Sequence, residues 1–350
     1  MKKNDPPTIT EIARRAKVSI GTVDRVVHNR GRVAAKTAAR VQKIIKELGY
    51  KPNIFASHLS RARVYQFGVV LPLCEQDSCY WRASVAGIEQ AVTELNHYRV
   101  KVRYFFYDRY KPEEFKKLET KILSAGLDGI LVAPVLHQPV RALIEKMPRH
   151  IPYVFVNTTI RDLHPLSFIG QDSTQSGLVC GKLMSLYIRR PSTIAVILSV
   201  PDDPHIRQRA DGFKAAFPDG SGVTVREYEL FDLAHHEKSA PLAARILKEN
   251  PDLQGVFVAN VAVHYLAEAL QKKLRSRHIL VIGYDLIEPN VSLLKTNAIT
   301  FLISQKPERQ GYEGVYALYR HIALREKSQK KILMPIDIIT SENVKYYTTR

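Results

Sequence analysis

Near the N-terminus, apolar positions recur at helical spacing. Ile9, Ile12, Ala13 and Ala16 fall on one face, and Thr8 with Glu11 three residues later forms a capping-box pattern. After Lys17-Val18 comes a second cap, Ser19, with Val23, Val26 and Val27 again at helical spacing. Val41, Ile44, Ile45 and Leu48 predict a third helix over Lys36–Leu48, stopped by Gly49. Two short helices joined by a turn of three or four residues make a helix-turn-helix pattern.

From about residue 64 the pattern changes to short apolar runs. Strands are expected at Phe67–Leu71, Val100–Tyr107, Gly129–Ala133, Tyr153–Val156, Thr193–Leu198, Thr224–Leu230, Val256–Ala259, Leu280–Ile282 and Thr300–Ile303. Helical patterns lie between most of them, for example Ala83–Leu95, Pro112–Ala125, Ser173–Ile188, Arg207–Phe217, Ala240–Glu249 and His264–Lys273. Such alternation predicts parallel sheets with helices on both faces. The set is too long for one sheet, so two doubly wound lobes are expected. The fold class is then an all-α head followed by an α/β body of two lobes.

Composition sharpens this picture. A chain of 350 residues is long enough for two or three domains. With 45% apolar and 25% charged residues it can build a packed core, which excludes a collagen, a disulfide scaffold and wholesale disorder. No run of about 18 uncharged apolar residues exists, so a spanning helix is excluded. Met1-Lys2-Lys3-Asn4-Asp5-Pro6-Pro7 lacks the apolar stretch of a signal peptide, and the protein is expected in the cytoplasm. Cys74, Cys79 and Cys180 match no disulfide framework and no zinc spacing; they are expected to be reduced, partly buried thiols. No cofactor or metal is expected.

Charge is the informative quantity. The chain carries +18, and residues 1–65 hold fifteen lysines and arginines against four acids. A small basic head on a nearly balanced body points to nucleic acid as the partner of the head.

The head resembles a known family. The run Ile12-Ala13-x-x-Ala16-x-Val18-Ser19-x-x-Thr22-Val23-x-Arg25-Val26-Val27 and the later Leu48-Gly49-Tyr50-Lys51-Pro52-Asn53 are similar to the lactose-repressor (LacI/GalR) signature. The resemblance implies a second helix in the major groove of operator DNA. Ile20, Gly21, Thr22, Arg25 and His28 would reach the DNA, with Arg32 beside them, and Ser19 would cap the helix, whose free N–H groups would hold a phosphate. It also implies a hinge helix over Asn53–Ser60 that folds on DNA beside its mate in a dimer, with Asn53 and Ala56 at the DNA and Leu59 as a wedge in the minor groove. Two residues depart from the pattern. Asp24 stands where Ser is usual; it could accept from cytosine N4, or pair with Arg25 or Arg14, the preferred reading. Ala34 stands where a Ser cap is usual, and a lost cap costs about 1 kcal/mol.

In the body, polar residues follow the apolar runs: Asn157, Asn260, Asp285 and Gln305, with Arg209 at a helix start and Tyr80-Trp81 after the first strand. Ligands of such sheets sit at the carboxyl ends of strands. Amides, an arginine and an acid can bond many hydroxyls, and aromatic faces suit the C–H side of a sugar ring or a base. Arg209-x-x-Gly212-Phe213, Ala259-Asn260, Gly283-Tyr284-Asp285 and Gln305-x-Pro307-x-x-x-Gly311 resemble the periplasmic sugar-binding-protein type I fold, the effector core of the same family. Val261 replaces the acid that normally follows the Asn, and Asn157 stands where an acid is common. Few carboxylates leave room for an acidic sugar held by Arg209. Asp202-Asp203 and His235-His236 are expected as solvated loop residues. With Asp285 as the one pocket acid and no catalytic motif, no enzyme is expected.

The resulting expectation is a DNA-binding head over 1–50, a hinge over 51–63, a first lobe over 64–169 and 305–331, and a second lobe over 170–304 and 332–350. The chains cross between lobes near 168–170, 303–305 and 330–332. The function expected is a dimeric, ligand-responsive transcriptional regulator, a repressor, with a sugar or sugar derivative as effector. A purine- or nucleoside-responsive regulator is the alternative, with Tyr80 and Trp81 stacking a base; a DNA-tethered sugar-processing enzyme is a remoter one.

Overall fold

A computed structural model describes residues 9–27, 33–48, 63–199, 203–230, 236–273 and 278–348. Thr8, His28, Arg32 and the expected hinge helix with Asn53, Ala56 and Leu59 lie outside them, as do the side chain of Asp24 and residues Asp202 and His235. The chain divides into two units, Met1–Ala62 and Arg63–Arg350.

In the first unit, α1 (Ile9–Ala16), α2 (Ile20–Val27) and α3 (Ala35–Glu47) close on Ile12, Ala13, Ala16, Val23 and Val41. These are the positions at helical spacing. Helix α1 ends at Lys17, whose φ of +51° lets Val18 N bond Ala13 O (3.1 Å) and Lys17 N bond Arg14 O (3.3 Å). That tight turn brings Ser19 to the start of α2, where its Oγ accepts from Thr22 N at 3.2 Å. Ala34 begins α3 with no side-chain cap. Glu11 is held by Arg14 and Arg15 at 2.7–2.9 Å, and these bonds draw its carboxyl down to about 2.

The second unit holds two six-stranded sheets. The first contains β1 (Tyr65–Pro72), β2 (Val100–Tyr107), β3 (Gly129–Val132), β4 (Tyr153–Val156), β5 (Ser167–Gly170) and β11 (Lys331–Leu333), in the order β11-β5-β4-β3-β1-β2. The second contains β6 (Ser192–Leu198), β7 (Val223–Glu229), β8 (Leu253–Val258), β9 (Leu280–Tyr284), β10 (Phe301–Ser304) and β12 (Asp337–Ile339), in the order β12-β10-β9-β8-β6-β7. Strands β3, β6 and β10 are buried along their whole length, as expected when helices cover both faces, whereas the edge strands β2, β7 and β11 are partly exposed. All pairings are parallel except β12 against β10. The chain enters the second sheet beside the end where β10 leaves it, and the short link Met334–Ile336 cannot reach the far edge.

The third crossing corrects the expected one. Lys331, Ile332 and Leu333 pair in register with Phe168, Ile169 and Gly170, and Met334 N bonds Gly170 O at 2.8 Å. Residues 332 and 333 therefore still belong to the first sheet, and the chain crosses over Met334–Ile336. Gly170 likewise sits in the first sheet, which puts the first crossing at Gln171–Asp172. The second is at Gln305–Lys306, between β10 and the helix Pro307–Ile322.

Among the helices of the second lobe, α7 (Ser173–Tyr187) and α8 (Pro204–Lys214) touch backbone to backbone. In chain order α4 is Tyr80–Leu95, α5 Phe115–Leu123 and α6 His137–Lys146. A Cβ on Gly177 would lie 2.0 Å from Arg209 O, and one on Gly212 would lie 2.0 Å from Thr174 O. Only glycine allows this approach. Phe213 then stacks on Phe257 with centroids 4.4 Å apart. Cys74 and Cys79 are half-buried, Cys180 is buried, and all three are free. Among the described residues no helix is long and apolar enough to cross a membrane.

Candidate functional site

The carboxyl ends of the strands in both lobes face one cavity. Its walls include Tyr80, Trp81, Asn157, Arg209, Asn260, Asp285 and Gln305, all seven body residues singled out from the sequence. The cavity between them measures about 40 Å³, room for a few waters and well below the volume of ligand sites, so the lobes stand closed on each other.

Arg209 is placed by the close contact of α7 and α8. Its side chain is buried, with the guanidinium 4.0 Å over the Tyr284 ring. One terminal nitrogen donates to Ala259 O at 2.9 Å and the other to Gln305 Oε1. Asp285 follows β9 with φ +67°, a conformation that turns its carboxyl away from the strand, and it accepts from Gln305 N (3.1 Å) and Gln305 Nε2. Burial pushes its carboxyl up to about 6, against the pull of Arg209 and Gln305. Asn157 follows β4 with φ +69°; its Nδ2 donates to Tyr80 OH at 3.0 Å and meets Gln305 Oε1 at 3.4 Å, while its N donates to Gln310 Oε1 at 2.8 Å. Asn260 caps its own turn, Oδ1 accepting from Ala262 N. Burial holds the Tyr80 hydroxyl well above its usual range.

The cavity also holds residues that the sequence reading did not name. Asp77 is 6% exposed and opens a run of three left-handed residues, Asp77, Ser78 and Cys79, with φ of 51°, 54° and 66°. Its Oδ2 accepts from Trp81 Nε1 (2.8 Å) and from Arg109 (2.6 Å). Asp203 is 5% exposed, caps the helix that carries Arg209, and bonds His205. Burial would raise its carboxyl, but His205 and Arg109 hold it below the usual value. This corrects two expectations. Asp203 is no solvated loop residue, because α8 and the opposing lobe cover it. Among the described residues the cavity carries three carboxylates, Asp77, Asp203 and Asp285, where one was expected.

Two cavity residues keep a buried polar atom without a hydrogen-bond partner among the described residues: Asp77 Oδ1, an acceptor, and Arg209 Nε, a donor. Buried polar atoms are rarely left so. They come from opposite lobes. Trp81 and Tyr80 meet edge to face at 90° with centroids 5.0 Å apart. Ser78 Oγ of the first lobe reaches His264 Nε2 (3.3 Å) and Tyr265 OH (3.4 Å) of the second. His264 in turn meets Asn290, which donates to Tyr284 O and Asp285 O. Burial lowers the His264 pKa and keeps the ring neutral at neutral pH.

In the head, Ile20, Gly21 and Arg25 of α2 are exposed while Val23 turns inward. Arg25 lies along its own helix, Nε donating to Gly21 O at 3.1 Å.

Residues 67–327 match the family model of the periplasmic binding protein domain, and residues 8–53 match that of bacterial regulatory proteins, lacI family. The HTH-type transcriptional regulator DegA of Bacillus subtilis (strain 168) is 25% identical over 342 residues, covering 95% of this chain and 96% of DegA. Catabolite control protein A of Staphylococcus aureus (strain Mu50) is 28% identical over 170 residues, 48% of this chain and 49% of that protein. Among solved structures, a candidate LacI transcriptional regulator from Bacteroides fragilis superposes with a TM-score of 0.74 at 28% identity, over 81% of this chain and 100% of that one. A solute-binding protein of an ABC transporter from Agrobacterium vitis, bound with α-D-tagatopyranose, superposes with a TM-score of 0.70 at 25% identity, over 80% and 96%.

Proposed function

The chain belongs to the lacI family of bacterial regulatory proteins, DNA-binding regulators of transcription, with a periplasmic-binding-protein domain as its body; from that premise we propose that it senses a small neutral sugar between its lobes. The observation that carries this reading is the pair Asp77 Oδ1 and Arg209 Nε. One needs a donor and the other an acceptor. A polyhydroxylated ring supplies both from its hydroxyls once the lobes part to admit it. The relative that holds α-D-tagatopyranose supports the same class.

An acidic sugar fits less well. Arg209 already bonds Ala259 and Gln305, Arg109 is held by Asp77, and His205 by Asp203. A ligand carboxylate would meet three acids, with Arg209 alone among the described cavity cations not ion-paired to oppose them. A purine fits less well too, since rings at 90° form no parallel-faced slot.

The protein works as a dimeric repressor in the cytoplasm rather than as an enzyme. Two heads grip a pseudo-palindromic operator through Ser19, Ile20, Gly21, Thr22, Asp24, Arg25, His28 and Arg32, while Asn53 and Ala56 of each hinge lie at the DNA and its Leu59 wedge enters the minor groove. Sugar binding shifts the lobes and with them the hinge pairing. A thermal-shift panel of neutral aldoses and ketoses, uronic acids, sugar phosphates and purines tests the reading. A ligand at about 100 times its dissociation constant adds roughly 2.7 kcal/mol. Neutral sugars should raise the melting temperature, and Asp77→Asn should remove the shift. Hits confined to uronic acids or to purines would overturn it.

A further inference from the structure

Three stretches of chain pass between the lobes, and one side chain bonds the other two from the first. Gln171 lies on the first crossing and is 3% exposed. Its Nε2 donates to Ser304 O (3.1 Å), at the end of β10 where the second crossing starts, and to Pro335 O (2.9 Å) on the third. Both amide hydrogens are thereby used, one on each of the other crossings. The backbone adds a further link between first and third, Met334 N to Gly170 O.

The bond to Ser304 O matters because of what shares its peptide plane. The next residue is Gln305, and its N–H donates to Asp285 Oδ1 in the cavity. The unit Ser304–Gln305 is planar and rigid. It therefore takes the Gln171 amide on its oxygen and the Asp285 carboxylate on its nitrogen. A rotation of that peptide breaks both bonds together, and hydrogen bonds in such a chain polarise and strengthen one another. Gln171 Oε1, meanwhile, is buried with no partner among the described residues. That loss is sustained while the crossings stay together and is relieved once they part and water reaches the amide.

We propose that Gln171 is the hinge tie, a positioning residue that makes the three crossings move as one and transmits the state of the cavity to the lobe angle through the Ser304–Gln305 peptide. The tie does not depend on which ligand the cleft takes.

Amide hydrogen exchange on the full chain tests it, comparing the wild type with Gln171→Met, which keeps the length but donates nothing, and with Gln171→Glu. In the wild type Gln305 and Met334 should be protected. In Gln171→Met both should exchange about tenfold faster, the change expected when a hydrogen bond is lost. Strands β3 and β8, at the centres of the two sheets, should keep their protection. Gln171→Glu sets a carboxylate against two carbonyl oxygens. It should loosen the same two amides at pH 7 and recover towards wild type, compared at equal pH, once acid protonates the carboxyl. Wild-type exchange at Gln305 and Met334 in Gln171→Met would overturn the proposal. So would loosening of only one of them, or an equal loss of protection throughout both lobes, which marks a general loss of stability.

Discussion

Arg209 enters the cavity with its charge out of water, opposed by an aromatic face, a carbonyl and the Gln305 amide. Removing it leaves Ala259 O without this donor and Gln305 Oε1 with only the long bond from Asn157, and a buried group left unpaired costs about 1–3 kcal/mol. Arg209→Ala should therefore destabilise the body by a few kcal/mol and abolish the sugar-induced thermal shift, while the head still binds operator. Calorimetry and a gel-shift titration check this, and a retained sugar response would remove Arg209 from the site. Asp285 makes a pH prediction. Its carboxyl is held near 6, against 3.8 in water, so folding favours the protonated form. That contribution is complete below about pH 3.8 and is lost as pH rises through about 6, up to roughly 3 kcal/mol in all. Asp285→Asn should lack this fall in stability between pH 4 and 6. Denaturant titrations at several pH values measure it, and parallel profiles for the two proteins would contradict the buried, shifted acid. His264 works in the opposite sense, since burial lowers its pKa and costs stability as pH drops through its free value of 6.5.

The elements explain why some of these residues were readable in sequence and others were not. Asn157, Asn260, Asp285 and Gln305 each follow an apolar run, so the strand pattern places them at a carboxyl end, and the structure gathers them on one cavity. Asp77, Arg109, Asp203 and His205 carry no such mark. Asp203 beside Asp202 reads as a solvated pair, and its burial comes from elements distant in the chain. Strands β5, β11 and β12 span four or three residues and are too short or too mixed to show a period. The helix His137–Lys146 carries Pro139 in its first turn, and it too went unnamed. Gly212 was visible as part of a motif, but its purpose was not. It lets α7 and α8 meet, and its counterpart Gly177 presses on the backbone of Arg209. Gly177→Ala must push α8 away. It should cost about 1–3 kcal/mol by overpacking and weaken sugar binding through Arg209, although it touches no ligand. Unfolding and sugar titrations of that variant would show whether the two losses come together; wild-type values for both would mean that the helices do not pack this closely.

At the scale of the whole molecule, the chain joins a basic lacI-family head to a two-lobed periplasmic-binding-protein body. The head, with its small core and uncapped α3, was legible almost residue by residue because its motif is dense and local. The third crossing was not, because it depends on the pairing of β11 with a strand about 160 residues earlier. If Leu59 is a minor-groove wedge, Leu59→Ala should reduce operator affinity and bending while leaving the sugar-induced thermal shift intact; unchanged bending would exclude the wedge. If sugar and operator sites are coupled, the coupling acts equally in both directions. The most direct measurement is the operator dissociation constant of the full chain with and without a neutral sugar that raises its melting temperature. Operator affinity should change by about 5- to 150-fold, the change should be absent in Asp77→Asn, and sugar affinity should change equally when operator is added. A sugar that binds the body tightly and leaves operator affinity unaltered would contradict the coupling.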